Sequence, residues 1–452
     1  MKKTILLLSA SFACLFFASC DSLTDSKTNS LKNLNQESLP PGSLSGVVQI
    51  VSADRHVCAV LQSGKVKCWG RNNTGQLGDG TTSIQYRPVE VVGLSDVKMI
   101  TTSIETNQWT YTPNENFTCA LTNGGKVYCW GANTEGQLGN GDIPVNYPIK
   151  SPLPVRVPGI DNAIKISSYG YMTCAQLQNG QVKCWGYSNM FSGGDASVGD
   201  WQRVPKEIPE LLGATSIIVS GTGIIPDGAH IQPWSVCGIF EMGKVRCWNS
   251  WFGLKEIVGL DDVVNLYAVN DYPNALLLAK KRSGDSIVIN TDRRNFSDHG
   301  THYQTQALNE FTNLIQATGT YTINYDSSYN NMTAFFGVMS QDRRVYINQP
   351  PMNLKDRFSY TINVGQELQL PSLPLEYGRT TMLVEATEFQ GSKDIAVGGG
   401  HLCALMENGG VKCAMFLTLL TPTSAPLPDT KLAPLGLGDI SVRPDHPTYL
   451  LE

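Results

Sequence analysis

Short stretches of alternating apolar and polar residues recur along this chain: VVQIVSA (47–53), VKMITTS (97–103), AIKISSY (163–169), ATSIIVS (214–220) and KDIAVGG (393–399). A period of two predicts strands that turn one face to a core. Each stretch is followed by two further alternating runs around a glycine turn: CAVLQSGKVKC, CALTNGGKVYC, CAQLQNGQVKC, CGIFEMGKVRC and CALMENGGVKC. These read as β-hairpins. Their ends are always cysteine, so Cys58/Cys68, Cys119/Cys129, Cys174/Cys184, Cys237/Cys247 and Cys403/Cys413 share one spacing. In the clearest units a Gly-rich loop follows, CWGRNNTGQLGDG (68–80) and CWGANTEGQLGNG (129–141), and a Pro-containing link such as RPVEVVGLSDV (87–97) leads to the next opening strand.

One supersecondary unit is therefore repeated. A chain of 452 residues would ordinarily suggest two or three domains. Stacked repeats share a continuous core and run long as one body. Composition agrees with an all-β chain of short strands and turns: 43 Gly, 24 Pro, only 16% charged residues, and no long amphipathic helical pattern.

The opening strand, the Gly turn, and the C-W-G ending followed by G-Q-L-G together resemble the repeat of the regulator-of-chromosome-condensation family. The resemblance covers about residues 46–255 and returns at about 390–414. It implies a seven-bladed β-propeller, and the paired cysteines look like those of the exported bacterial branch of that family. Between Cys247 and Cys403 two cysteine-free units fit: DVVNLYA (262–268) with NALLLAKKRSGDSIVIN (274–290), and FTNLIQA (311–317) with MTAFFGVMSQDRRVYIN (332–348). Seven blades are expected over residues 46–452; a six-bladed ring with an insertion near 290–380 is the alternative. Residues 434–450 contain an apolar strand that could help close the ring.

Across a hairpin, residues equidistant from the turn face one another, and at non-hydrogen-bonded positions their Cα atoms come close enough for a disulfide. Five intra-blade disulfides are expected. Buried thiols and metal ligands are the alternatives, but pairs lying in different blades do not converge on one metal as zinc ligands do. No metal and no cofactor is expected. Trp69, Trp130, Trp185 and Trp248 recur after the second Cys and read as packing between blades. His56 and His401 each stand two residues before a first Cys and read as structural; the G-Q-L-G segments read as turns.

Residues 1–19 begin with Lys2 and Lys3, continue as an apolar run and end in small residues before Cys20, the pattern of a cleaved signal. Phe17-Ala18-Ser19-Cys20 resembles a bacterial lipobox, with Phe17 where Leu is usual. Cleavage removes Cys14 and leaves an odd number of cysteines; lipidation of Cys20 restores pairing, whereas an ordinary secretory signal leaves Cys20 free. Residues 20–45 are polar and read as a flexible tether. Losing Lys2 and Lys3 makes the net charge more negative than −5, and no basic face is visible. Nucleic acid is not an expected partner.

No His-Glu-x-x-His, G-x-S-x-G, P-loop or EF-hand pattern occurs, and no catalytic residue is assigned. Asp298-His299-Gly300-Thr301-His302 reads as a polar loop. The link between opening strand and hairpin is expanded at 104–116, 221–235 and 318–331. Equivalent links in a propeller leave on one face, which would gather Trp109, Tyr111, Trp234, Tyr321, Tyr325 and Tyr329. Either they form a binding face, since Trp and Tyr are favoured at hot spots, or they fold back over the channel.

The expected function is a membrane-anchored bacterial lipoprotein on the periplasmic or cell-surface side, binding a protein or glycan partner through those loops. The resemblance brings nucleotide exchange on a nuclear GTPase, which an exported acidic protein would not perform, and inhibition of secreted β-lactamases, for which no residue match stands. Alternatives are a polysaccharide hydrolase or lyase using Glu105, Glu115, Asp227 or Asp326, and a purely structural envelope component.

Overall fold

A computed structural model describes residues 44–53, 55–103, 116–141, 149–187, 201–221, 234–249, 253–270, 275–290, 304–308, 314–326, 329–349, 364–369, 382–386, 389–398, 401–415 and 435–436. The expected signal, Cys20 and the expected tether up to residue 43 lie outside the described residues; Leu44, expected in the tether, is instead buried with Val47 and Leu405.

Most of the described residues lie in strands, and the rest form turns, loops and two single 3-10 turns. In the first sheet Val47–Ser52, His56–Leu61, Val66–Gly70 and Gln85–Glu90 pair in chain order, all antiparallel. The second repeats this with Val97–Thr102, Phe117–Thr122, Val127–Ala132 and Lys150–Arg156. The third uses Ala163–Tyr169, Met172–Leu177, Val182–Tyr187 and Trp201–Glu207; the fourth uses Ser216–Gly221, Trp234–Ile239, Val245–Asn249 and Gly253–Glu256. The expected opening strands and Cys hairpins are thus present. The outer, fourth strand begins after the Gly-rich loop and runs into the Pro-containing link, as Gln85–Glu90 does.

The two cysteine-free units also form, but as one sheet. Val263–Asn270, Ala275–Lys281, Ser286–Asn290 and Gln304–Leu308 make its first half. Leu314–Asp326, Tyr329–Ser340, Val345–Gln349 and Met382–Ala386 make the second, with Val364–Gln369 added at the edge. The halves join where Val263–Asn270 pairs in parallel with Leu314–Asp326, Val269 opposite Gly319. The expectation of seven four-stranded blades is therefore corrected: the strands sort into six blades, one of them nine-stranded. The reason is length. Leu314–Asp326 runs 13 residues, and its extension past Ala317 reaches the neighbouring first strand. The expected loop at 318–331 is likewise a paired ribbon, with Tyr321 opposite Ala334, Tyr325 opposite Asn330 and Asp326 opposite Tyr329.

The last sheet comprises Ser392–Gly398, His401–Met406, Val411–Met415 and Leu435–Gly436. The segment expected to help close the ring thus contributes two residues, Leu435 opposite Cys413 and Gly436 opposite Lys412. First strands of successive units neighbour one another around the axis, and Ser392–Gly398 returns to Val47–Ser52. Apolar clusters lie between neighbouring sheets. Val60, Val66, Leu77 and Ile100 pack with Trp130 of the second sheet, and Leu121, Val127 and Leu138 pack with Ile166 and Trp185 of the third.

Candidate functional site

All ten hairpin cysteines are brought together as expected. Each pair sits at directly opposed register positions, with Cα–Cα distances of 4.1 Å for Cys58–Cys68 and Cys119–Cys129, 4.0 Å for Cys174–Cys184 and Cys403–Cys413, and 3.9 Å for Cys237–Cys247. These are the close, non-hydrogen-bonded pairs of antiparallel ladders.

The recurrent tryptophans are inter-sheet packing. Trp130 and Trp185 are fully buried, and Trp69 and Trp248 nearly so. Burying an indole removes roughly 200 Å² from water, about 5 kcal/mol gross. Trp130 Nε1 donates to the Gln76 carbonyl at 2.9 Å and Trp185 Nε1 to the Gln137 carbonyl at 3.1 Å. The G-Q-L-G loop of one sheet therefore seats the indole of the next. Asn72 and Asn133 pin these loops, their Oδ1 atoms accepting from Leu77 N and Leu138 N at 3.0 Å.

A second set of contacts runs nearer the axis. Opening strands share a burial rhythm in which a partly buried residue precedes a buried apolar one: Gln49-Ile50, Met99-Ile100, Lys165-Ile166, Ser216-Ile217, Asn265-Leu266, Gln316-Ala317 and Asp394-Ile395. Several of these side chains bond the next first strand. Gln49 clamps Ile100, donating to its carbonyl at 3.1 Å and accepting from its N–H at 2.9 Å. Gln316 does the same to Ile395, and its Nε2 also reaches Asp394 Oδ1. Lys165 Nζ donates to Ser216 Oγ at 2.6 Å, and Ser167 Oγ accepts from Val219 N at 3.0 Å. Burial lowers the Lys165 pKa below the usual lysine value. The polar positions hold the ring together, which the sequence reading missed. The polar residue recurring inside most opening stretches was its signal; the second stretch has Met99 there.

These bonds join like positions on neighbouring strands, so the first strands run in the same direction. Every link from first to second strand therefore leaves from one rim. That rim includes the ends at Ser103 and Asn116, at Gly221 and Trp234, and the ribbon of Leu314–Asp326 with Tyr329–Ser340. The opposite rim carries tight hairpin turns, as at Gly64 with φ 76°. Arg343, φ 64°, takes this conformation in the cysteine-free unit.

Of the expected binding-face aromatics, Trp109 and Tyr111 lie outside the described residues. Trp234 opens its strand opposite Gly221, and Tyr321, Tyr325 and Tyr329 lie on the ribbon. Glu105, Glu115, Asp227 and residues 298–302 also lie outside; Asp326 ends the outgoing ribbon strand. Among the described residues no three His, Cys, Asp or Glu side chains are placed to hold a metal ion.

His56 is fully buried, as its repeated position suggested. Its Nε2 lies 3.0 Å from Thr118 Oγ1 of the second sheet. The Thr118 hydroxyl donates its one proton to the Gln76 carbonyl at 3.0 Å, so Nε2 is the imidazole donor and Nδ1 carries the lone pair. His401 Nε2 lies 2.6 Å from Ser52 Oγ, across the contact between last and first sheets. Burial pushes His401 down to about 4; burial, then the neighbouring His401, pushes His56 down to about 3.

Comparison with known proteins bears on the same residues. Residues 63–104 and 124–176 match the model described as "Regulator of chromosome condensation (RCC1) repeat", and residues 47–76 match a second model of that description. The chain is 30% identical over 204 residues to the RCC1 domain-containing protein RUG3, mitochondrial, of Arabidopsis thaliana, covering 43% of each. It is 30% identical over 182 residues to the ultraviolet-B receptor UVR8 of the same plant, covering 40% of this chain and 37% of that one. The chain thus spans less than half the length of these relatives. Among solved structures, Prp20p of Saccharomyces cerevisiae superposes with a TM-score of 0.51 at 15% identity, over 82% of both chains. That likeness concerns the fold alone. Repeat matches, relatives and superposition together support an all-β propeller of the RCC1 type for this chain, with its hairpins closed by disulfides.

Proposed function

We propose that this protein is an exported, lipid-anchored propeller that binds a protein partner through the rim where first strands pass to second strands. The observation that carries this reading is the asymmetry of the two rims. One is closed by short hairpin turns; the other bears the links between Ser103 and Asn116 and between Gly221 and Trp234, and the long ribbon ending at Asp326 and Tyr329. Loops held on a rigid scaffold are where recognition concentrates. Five disulfides fit an oxidising compartment, in keeping with residues 1–19 as a signal and Cys20 as the lipidated end. Among solved propellers, Prp20p is described with binding properties to Gsp1p and histones. The proposal takes from it only that such a ring serves protein recognition.

The test is a pull-down from envelope fractions with wild-type protein and a Trp109→Ala/Trp234→Ala double variant. The reading expects a protein recovered by wild type and lost, or reduced at least tenfold, with the variant. Equal recovery by both would remove the aromatic rim as the binding face, and recovery of polysaccharide alone would favour a glycan ligand. Replacing Cys20 with Ser should release the protein from membranes without altering its disulfides; retention on membranes would sink the lipid anchor.

A further inference from the structure

The contact between last and first sheets differs from the others in its chemistry. Among the described residues the N-terminal segment adds no strand to the last sheet, which is drawn from residues 392–436. Closure instead rests on an apolar cluster of Leu44, Val47, Ile50, Ala396 and Leu405 with few backbone bonds, such as Val47 N to the Gly409 carbonyl at 3.3 Å. Among the described residues three ionisable groups stand at or beside this contact. Asp394 Oδ2 accepts from Ile50 N at 3.1 Å, His401 meets Ser52, and His56 lies behind Ser52 against Thr118. The approach is close: a Cβ on Gly398 would lie 2.2 Å from His401 Cε1, 2.3 Å from the Ala53 carbonyl and 2.5 Å from Ser52 Oγ.

We propose that this seam is an acid-sensitive joint: protonation of His401 and His56 parts Ser392–Gly398 from Val47–Ser52 and opens the ring there. In the closed ring the proton has no good home. The free position on His56 is Nδ1, which is buried without a hydrogen-bond partner. Among the described residues, a charge there would face the second imidazole, with the hydroxyls of Ser52 and Thr118 as the neighbouring polar groups. Asp394 is engaged by Ile50 and Gln316, Lys393 reaches the Glu407 carbonyl, and Arg55 lies in the link beside His56.

The direction follows from proton counts in the closed and open states. Both imidazoles bind protons less tightly in the closed ring than in water, so their contribution to closure is present at pH 7 and lost as pH falls below about 6.5. Asp394 acts oppositely. Burial raises it to about 6, so the closed ring takes up its proton first and gains over the same range. Between pH 7 and pH 5 each imidazole shifts the equilibrium toward the open seam by about twentyfold, and Asp394 offsets about ninefold of this. The net is about fiftyfold.

Hydrogen exchange of the intact, oxidised protein reads this directly, with rates corrected for intrinsic pH dependence. The Ile50 amide reports the seam, and the Val219 amide, held by Ser167 at the contact of third and fourth sheets, is the internal reference. Protection of Ile50 relative to Val219 should fall about fiftyfold from pH 7 to pH 5. His401→Gln should leave only a two- to threefold fall, whereas Asp394→Asn should steepen it to several hundredfold. A flat ratio in the wild type overturns the proposal. So does a wild-type fall that neither variant alters. Should one variant fail to fold, the wild-type profile and the other variant decide the matter.

Discussion

Alanine at Gly139 tests the idea that each G-Q-L-G loop is a seat for the next sheet's indole. Gly139 has φ 63°, and a Cβ built on it would lie 2.4 Å from Trp185 Cδ1 and 2.6 Å from its Nε1. Three costs follow. A left-handed backbone with a Cβ costs about 1–2 kcal/mol. Displacing a packed indole costs roughly 1–3 kcal/mol, and losing the Trp185-to-Gln137 hydrogen bond about 1 kcal/mol. The sum is about 3–6 kcal/mol. Gly159 separates these terms, for it has φ 72° and nothing within 4 Å of a Cβ. Gly159→Ala should therefore cost only the backbone part, about 1–2 kcal/mol. The assay is urea unfolding of both variants in non-reducing buffer, followed by tryptophan fluorescence. Gly139→Ala should unfold at clearly lower urea than Gly159→Ala and show a changed Trp emission in the native baseline. Equal midpoints would refute the seat, because only the contact with Trp185 distinguishes the two sites.

Two further outcomes are expected. Alkylation of the denatured, unreduced protein should label none of the ten hairpin cysteines, and peptide mapping should recover Cys58–Cys68 and its four counterparts; reduction should destabilise the protein by no more than about 3 kcal/mol per bond. Gln49→Ala strips both bonds to Ile100 and leaves a backbone N–H without its partner, so a loss of about 1–3 kcal/mol is expected. In that variant, exchange should quicken at Ile100 and not at Val219; uniform quickening would argue against a local clamp.

The legible parts of this protein were those governed by local geometry. Alternation marks strands because side chains alternate across a pleat, and a fixed Cys spacing about a glycine turn places two thiols opposite one another. Both signals sit within a dozen residues, and both gave the right elements, cysteine-free units included. The repeated Trp and His56 were legible as structural for the same reason: a residue that recurs at one position in several units serves the repeat.

What the sequence did not decide lies between units. Whether Leu314–Asp326 heads its own blade or joins the preceding strands turns on one parallel pairing, Val269 with Gly319, brought together across a long connection. The amide clamps of Gln49 and Gln316 were visible only as polar residues in apolar stretches; their partners lie 51 and 79 residues away. The joining of Asp394 to Ile50 spans 344 residues. Sequence alone determined the repeat, its strands and its disulfides, because those interactions are short-range. Tertiary structure alone decided how sheets merge, which polar side chains bind them, and that buried ionisable groups meet where the ring closes, because ring closure sets residues from opposite ends of the chain side by side.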